Sequence, residues 1–454
     1  MKSIWLDVTT TLRWRRPPVG ILRVERELIQ HHKNQGEHCR FVKFDNTKST
    51  FLEVQCDEIM EALLSQEAFQ EMEENKTEPI IHLIHEKKIL SKKEKILREI
   101  NRIFKKINLI LGILGFRKEL RSCMVEAGGV PNQIAIKKFQ KDKTDDNHFE
   151  LDSPCCMQVN DHYISCGLDW DDKDLPFLYN MKKKLNLNVT LFCYDLIPVL
   201  LPHLVVLDVG SKFQEYFCDL AWCADTVCCI SKNSESDFKK QSLIVGSPIP
   251  KTVVIRLGED SFGSGKSKEI KKSPLSNKKF ILFVSTVEKR KNHITVLHAY
   301  TRLCERYGDR LPHLVFVGMP GWGVSDFVKD LELDFRVKDR IIWFKRLPDA
   351  ELCWLYENCL FTVFPSHYEG WGLPVAESLA FGKYCLISDS SSLVEVAPHI
   401  LNPIDPLDVP DWVTHMEKMI FDPTQLKEKE LKIRNEYQLQ NWSNTFSKIP
   451  SYFE

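Results

Sequence analysis

The chain has 454 residues, 43% of them hydrophobic and 28% charged, and its 62 Lys and Arg against 63 Asp and Glu leave a formal charge of −1. That length suggests two or three domains with cores of their own, and the composition excludes global disorder, collagen-like repeats and a polytopic membrane protein. Near-neutrality argues against a dedicated nucleic-acid binder, so no nucleic-acid partner is expected and any basic surface must be local.

In chain order, KSIWLDV at 2–8 predicts a first strand. It meets Asp7 before a signal-length apolar run can develop, which points to a cytoplasmic chain. Fifteen cysteines without a single C-x-x-C pair argue against a zinc site and for reduced, buried thiols. Thr9 to Gly20 reads as a loop carrying Arg13, Arg15 and Arg16, and a helix from about Gly20 places Ile21, Val24, Leu28 and Ile29 on one side. His82 and His85, at i, i+3 in an apolar run, read as core rather than metal ligands.

From about 86 to 150 the pattern changes. Ile89, Leu90, Ile96, Leu97, Ile100 and Ile103 recur at helical spacing among lysines and arginines. Such a basic amphipathic insertion suits an anionic membrane surface, and equally a cover helix packed on its own domain or on a partner. Its longest apolar run, 107–116, is too short to span a bilayer core of about 30 Å. Asp169, Asp171, Asp172 and Asp174 resemble an acidic metal cluster, but they precede a helix start at about Lys173, where acidic residues simply favour the helix dipole. HYISC at 162–166, NVTLFCYD at 188–195, DTVCCIS at 225–231 and TVVIRLG at 252–258 predict further strands. The polar stretch 263–279 reads as a linker, and its GSGK lacks the spacing of a phosphate loop.

The second half is more regular. FILFVST at 280–286, HLVFVG at 313–318, RIIWFK at 340–345, FTVFP at 361–365 and KYCLIS at 383–388 alternate with helical patterns beginning near 292, 349 and 373. These strands are continuously apolar, so both faces should be covered, as in a parallel, doubly wound sheet.

The segment 364–377, FPSHYEGWGLPVAE, carries the most chemistry. A strand ends near Phe364, a Gly-punctuated loop follows, and a helix starts near Leu373 with Pro374 in its first turn. Free N–H groups at that helix end suit a phosphate or sugar oxygen, and Gly370 and Gly372 permit close approach. Glu369 and Glu377, eight residues apart, can bracket one polyhydroxyl ligand. Arg290 and Lys291 follow the first strand of the same half, where two cations can neutralise a diphosphate.

The run Glu369-Gly-Trp-Gly-Leu-Pro-Val-Ala-Glu377 resembles the E-x7-E signature of the retaining, nucleotide-sugar-dependent glycosyltransferases of the GT-B fold, glycosyltransferase 4 family. Ser285–Asn292, Leu386–Val396, Asn441–Thr445, Tyr194–Pro198 and Cys229–Ser234 are similar to other family segments. The resemblance implies an α/β GT-B architecture: two doubly wound, parallel-sheet Rossmann-like domains facing across a cleft. Residues 1–262 would form the acceptor-side domain with the basic insertion, 263–279 the linker, 280–435 the nucleotide-sugar domain, and 436–454 a tail returning to the first domain.

For the site the resemblance implies that Glu369 lies near the donor sugar and Glu377 at the ribose. Backbone groups of Gly370, Trp371, Gly372 and Leu373 would hold sugar or phosphate, Arg290 and Lys291 the diphosphate, and Gly20 would sit beside the donor phosphates. Two departures stand out. Ser285-Thr286 replaces a frequent Gly-Arg, and Tyr194 stands where many members place a His, which leaves Asp195 as the first-domain candidate for the sugar or the acceptor. Transfer of a hexose, with mannose as one choice, from a GDP- or UDP-linked donor to a glycan or lipid-linked glycan in surface polysaccharide assembly is then expected. No cofactor or metal is implied, and contact with the inner membrane face would come through the basic helix. A nucleotide-sugar epimerase and a silent sugar-nucleotide-binding module remain the alternatives.

Overall fold

The computed structural model describes residues 2–14, 20–36, 38–74, 156–205, 209–259, 275 and 278–450. The expected basic insertion, His82, His85, Arg15, Arg16 and most of the expected linker lie outside them.

The first half forms one sheet flanked by helices. Its strands are β1 (Ile4–Asp7), β2 (Cys39–Asp45), β3 (Thr50–Val54), β4 (His162–Ser165), β5 (Asn188–Cys193), β6 (Thr226–Cys229) and β7 (Lys251–Val254). Their order is β3-β2-β1-β4-β5-β6-β7, parallel except for β3 against β2. The helices are α1 (Thr9–Arg13), α2 (Ile21–Lys33), α3 (Cys56–Glu74), α4 (Asp169–Asp172), α5 (Leu175–Leu185), α6 (Ile197–Leu200), α7 (Val209–Cys223) and α8 (Lys232–Val245). Every residue of β1, β4 and β6 is buried, as strands covered on both faces require.

The second half repeats the plan with a wholly parallel sheet. Its strands are β8 (Phe280–Val284), β9 (His313–Val317), β10 (Ile341–Phe344), β11 (Thr362–Phe364), β12 (Cys385–Ser388) and β13 (Pro403–Ile404), in the order β10-β9-β8-β11-β12-β13. The helices are α9 (His293–Tyr307), α10 (Ser325–Leu333), α11 (Asp349–Asn358), α12 (Leu373–Ala380), α13 (Leu393–Val396), α14 (Val409–Phe421), α15 (Pro423–Glu436) and α16 (Trp442–Phe446). No helix among the described residues is long and apolar enough to cross a membrane.

Three local expectations need correction. Lys173 does not start a helix. It is the extended residue between α4 and α5, and Asp174 caps α5 by accepting from Phe177 N at 2.9 Å. The strand expected to Gly258 ends at Val254, because the chain then turns to meet the C-terminal tail, with Glu259 N donating to Gln440 O at 2.9 Å. The Thr9–Gly20 loop opens as helix α1. The β2–β3 hairpin was not anticipated. Its Asp45–Ser49 turn is held by the Asp45 carboxylate, which accepts from Thr47 N at 2.9 Å.

The tail joins the halves. Thr445 Oγ1 donates to Arg256 O at 2.8 Å, Phe446 lies 5.6 Å from the His31 ring on α2, and Trp442 packs on Gly258 so closely that a Cβ there would fall 2.5 Å from the indole.

Candidate active site

In the second sheet the strand order reverses between β8 and β11, the switch point at which open α/β sheets bind their ligands. The β8 loop ends in a 3₁₀ turn, Lys289–Lys291, which sets Arg290 and Lys291 side by side. Asn292 follows with a φ of 58°, and its Nδ2 donates to Pro365 O at 3.0 Å and Pro406 O at 2.8 Å, tying this turn to the β11 loop.

These two loops bring Glu369, Arg290 and Lys291 together. Glu369 Oε1 accepts from Lys291 Nζ at 2.7 Å and from Ser366 Oγ at 2.5 Å, and Oε2 from Arg290 NH1 at 2.8 Å. Burial pushes the Glu369 carboxyl upward, but Arg290 and Lys291 outweigh it and hold it at about 2, a carboxylate at any physiological pH. Arg290 also donates to Tyr368 O at 2.7 Å and pairs with Glu288 at 2.8 Å, which leaves part of its five-donor fork for a ligand. Lys291, whose ammonium burial and Arg290 both push down, bonds only Glu369 among the described residues and keeps donors to give. The two cations are therefore not a bare diphosphate clamp: a ligand anion here shares donors with Glu369.

The rest of the loop is held from β12's connection. Glu369 N donates to Ser391 Oγ at 2.8 Å, and Ser392 Oγ donates to Glu369 O at 2.9 Å and Trp371 O at 2.8 Å. Gly370 packs against the first domain, where a Cβ would fall 2.4 Å from Tyr194 O. Gly372 has a φ of 122° and starts α12, with Leu373 and Pro374 in the first turn. Trp371 is buried beside Arg256, its indole N–H without a partner among the described residues.

Glu377 is buried on α12, eight residues from Glu369. Its Oε2 accepts from Tyr356 OH at 3.0 Å, and its Oε1 from Arg23 NH1 at 2.9 Å, a residue of α2 in the first domain. Burial raises its carboxyl, opposed by Arg23 and Tyr356. A second bridge between the domains is the N-terminus of α8. Lys232 N and Asn233 N donate to the two Glu395 oxygens at 2.9 and 2.8 Å.

Asp195 lies at the end of β5, a Cβ on Gly370 falling 3.1 Å from its own Cβ. Its Oδ1 accepts from Ile197 N at 3.0 Å, and burial, opposed by Arg290, raises its carboxyl. Tyr194 turns the other way, its hydroxyl donating to Cys166 O at 2.5 Å inside the first domain, so its side chain presents no polar atom to the Glu369 loop. Gly20, with a φ of 55°, is the N-cap of α2 in open surroundings, and Arg13 is drawn aside to Phe44 O at 3.3 Å. Arg23, Ser366, Ser391, Ser392 and Glu395 were not singled out in the sequence. Ser391, Ser392 and Glu395 fall within Leu386–Val396, a segment similar to the family, but no role was read for any of them.

The first sheet reverses between β1 and β4, and there Asp169, one of the acidic residues expected to favour a helix dipole, joins a buried ion pair instead, whereas Asp174 does cap its helix. Lys173 Nζ lies 2.6 Å from Asp169 Oδ1 and 3.1 Å from Asp7 Oδ1, and Ser165 Oγ and Tyr163 OH donate to the same two carboxylates. Glu25 is buried beside them, its Oε2 unbonded among the described residues, and burial pushes its carboxyl up to about 8.

Residues 265–436 match the family model of glycosyl transferases group 1. The chain is 28% identical over 264 residues to the serotype-specific mannosyltransferase WbdA of Escherichia coli, covering 56% of this chain and 32% of that protein. It is 31% identical over 153 residues to the O-antigen chain mannosyltransferase B of Escherichia coli, covering 34% of this chain and 40% of that one. The chain thus spans about a third of the length of the first relatives it matches. Among solved structures, sucrose-phosphate synthase from Thermosynechococcus elongatus aligns over 99% of this chain and 98% of its own, with a TM-score of 0.53 at 13% identity, a likeness of fold. The 265–436 region is thus similar to the glycosyl transferases group 1, and the two doubly wound sheets have the GT-B fold.

Proposed function

We propose that the chain is a retaining hexosyltransferase that moves a hexose, with mannose the first candidate, from a GDP- or UDP-linked donor to a glycan or lipid-linked glycan acceptor in surface polysaccharide assembly. One observation carries it: Glu369, an obligate carboxylate, held between Arg290 and Lys291 at the reversal of a parallel sheet. The names of the two Escherichia coli relatives support mannose and an O-antigen-like product.

In this reading Lys291 and Arg290 donate to the donor diphosphate, and the N–H groups opening α12 take a further oxygen. The bond from the sugar C1 to the phosphate oxygen breaks as the acceptor oxygen bonds C1 on the same face, and the acceptor proton passes to the departing phosphate. Glu369 positions the cations and stabilises charge growing on the sugar, so no enzymic nucleophile is assigned. Two fixed cations and a helix N-terminus supply the charge that a divalent ion would otherwise bring, which supports metal independence. Glu377 would take the ribose hydroxyls. The chain would act in the cytoplasm, with the basic 86–150 segment at the inner membrane face.

The test is release of nucleoside diphosphate from a panel of UDP-, GDP-, ADP- and dTDP-sugars, with EDTA and a membrane extract as acceptor source. Release from one donor, abolished in Glu369→Ala and Arg290→Ala, is expected. Silence across the panel from well-folded protein, or donor conversion without any acceptor, would overturn it.

A further inference from the structure

A cavity of about 190 Å³ lies where the ends of β4 and β5 and helix α7 meet the second domain. Its walls are mostly aromatic. Trp170 lies 5.0 Å from Phe213 and 5.6 Å from Tyr216, ring centre to ring centre. Trp322 reaches it from the second domain and is tied to the first, its Nε1 donating to Leu204 O at 2.9 Å. The charged groups in the lining are Asp195 and Arg290. Glu377, Lys291 and the 370–373 loop do not line it, so it is separate from the groups assigned to the donor nucleotide, and Arg290 alone belongs to both.

We propose that this cavity seats the acceptor's terminal sugar, one pyranose ring, with an apolar C–H face on Trp170, Phe213 and Trp322 and a hydroxyl on Asp195. The occupant follows from size and chemistry. A cavity of about 150 Å³ suffices for benzene, so this one holds a single ring-sized group. A hydrocarbon occupant would strip water from the Asp195 carboxylate, whose Oδ2 bonds nothing among the described residues, and return no hydrogen bond. A sugar ring offers apolar C–H groups to the aromatic walls and O–H donors to the carboxylate. Asp195 also touches the Glu369 loop at Gly370, so a hydroxyl held on it stands beside the residues proposed to handle the donor.

The inference rests on the transferase reading for its occupant, and the test separates the two. Trp170 and Phe213 are only partly buried and Trp322 is exposed, so Trp170→Leu, Phe213→Leu and Trp322→Leu are expected to fold. Binding of methyl α-mannopyranoside and methyl α-glucopyranoside to the full chain is followed by saturation-transfer NMR, with nucleoside diphosphate present. Transfer to the better glycoside is followed kinetically. The expected result is pyranoside binding in the wild type, weakened about three- to tenfold in each variant, with a matching rise in acceptor KM. Nucleoside diphosphate affinity and acceptor-free donor hydrolysis should stay unchanged. Asp195→Asn should lose pyranoside binding as well. Variants that bind and use the pyranoside like the wild type overturn the assignment while leaving the transferase intact. So does a cavity that takes cyclohexanol in place of either glycoside. Pyranoside binding lost in the variants, from a chain that turns over no donor, sustains the cavity and sinks the transferase instead.

Discussion

Arg23 and Glu377, 354 residues apart in sequence, form a salt bridge of 2.9 Å from the first domain's α2 to the second domain's α12. The carboxylate is buried and has Tyr356 as its other partner, so the pair is far better shielded than a surface bridge. Removing Arg23 leaves a buried carboxylate with one donor. Arg23→Ala, Glu377→Ala and the double variant, compared by denaturant unfolding, should show a coupling of about 1–2 kcal/mol. Additive effects would mean that the bridge does not hold the domains.

Glu369 should separate catalysis from charge balance. Glu369→Ala sets Arg290 and Lys291 side by side without their shared anion, so both turnover and melting temperature should fall. For Glu369→Gln the expected loss of turnover is about 10²–10³-fold. Its folded carboxyl sits at about 2, below the ordinary value of 4.5, so its contribution to stability is present above pH 4.5 and lost as pH falls toward 2. The gap in unfolding free energy between wild type and Glu369→Gln should be constant above pH 5 and close on acidification.

Glu25 predicts the opposite sign. Its folded carboxyl, pushed to about 8, stays protonated while the unfolded chain ionises from 4.5 upward. Stability is full below 4.5 and falls as pH rises to about 8, by about 1.4 kcal/mol per unit crossed before neighbouring Asp7, Asp169 and Lys173 moderate it. Glu25→Gln should match the wild type near pH 4.5 and exceed it at pH 8 in thermal unfolding. Identical pH profiles would place the proton elsewhere in the cluster.

Gly370 and Gly20 give a contrast. A methyl at Gly370 meets the Tyr194 carbonyl at 2.4 Å across the domain boundary, whereas at Gly20 it meets nothing within 4 Å among the described residues and faces only a φ of 55°. Gly370→Ala should cost about 1–3 kcal/mol and most of the transfer activity, and Gly20→Ala about 1 kcal/mol. Equal losses would show that the first-domain loop matters as much as the Glu369 loop.

What could be read in advance followed from apolar continuity. β8, β9, β11 and β12 announce themselves as buried runs, and the Glu369–Glu377 spacing with its two glycines locates the loop between β11 and α12. The β2–β3 hairpin did not stand out, because its strands are half-exposed and broken by Lys43 and Glu53. Lys173 read as a helix start after a row of aspartates. Only the fold reveals that β1 delivers Asp7 to it from 166 positions away. The same holds for Arg23 on Glu377 and Glu395 on α8: single polar residues with no periodicity, paired by topology alone.

The returning tail has a consequence for biosynthesis. The α2 helix leaves the ribosome some four hundred residues before Phe446, which lies beside its His31, and Gly258 well before Trp442, which covers it. The amino-terminal half must therefore wait, with that apolar patch uncovered, while some two hundred further residues are translated, roughly 10–40 s at 5–20 residues per second. A nascent chain stalled before Trp442 should engage chaperones at that patch, and one released after Phe446 should not.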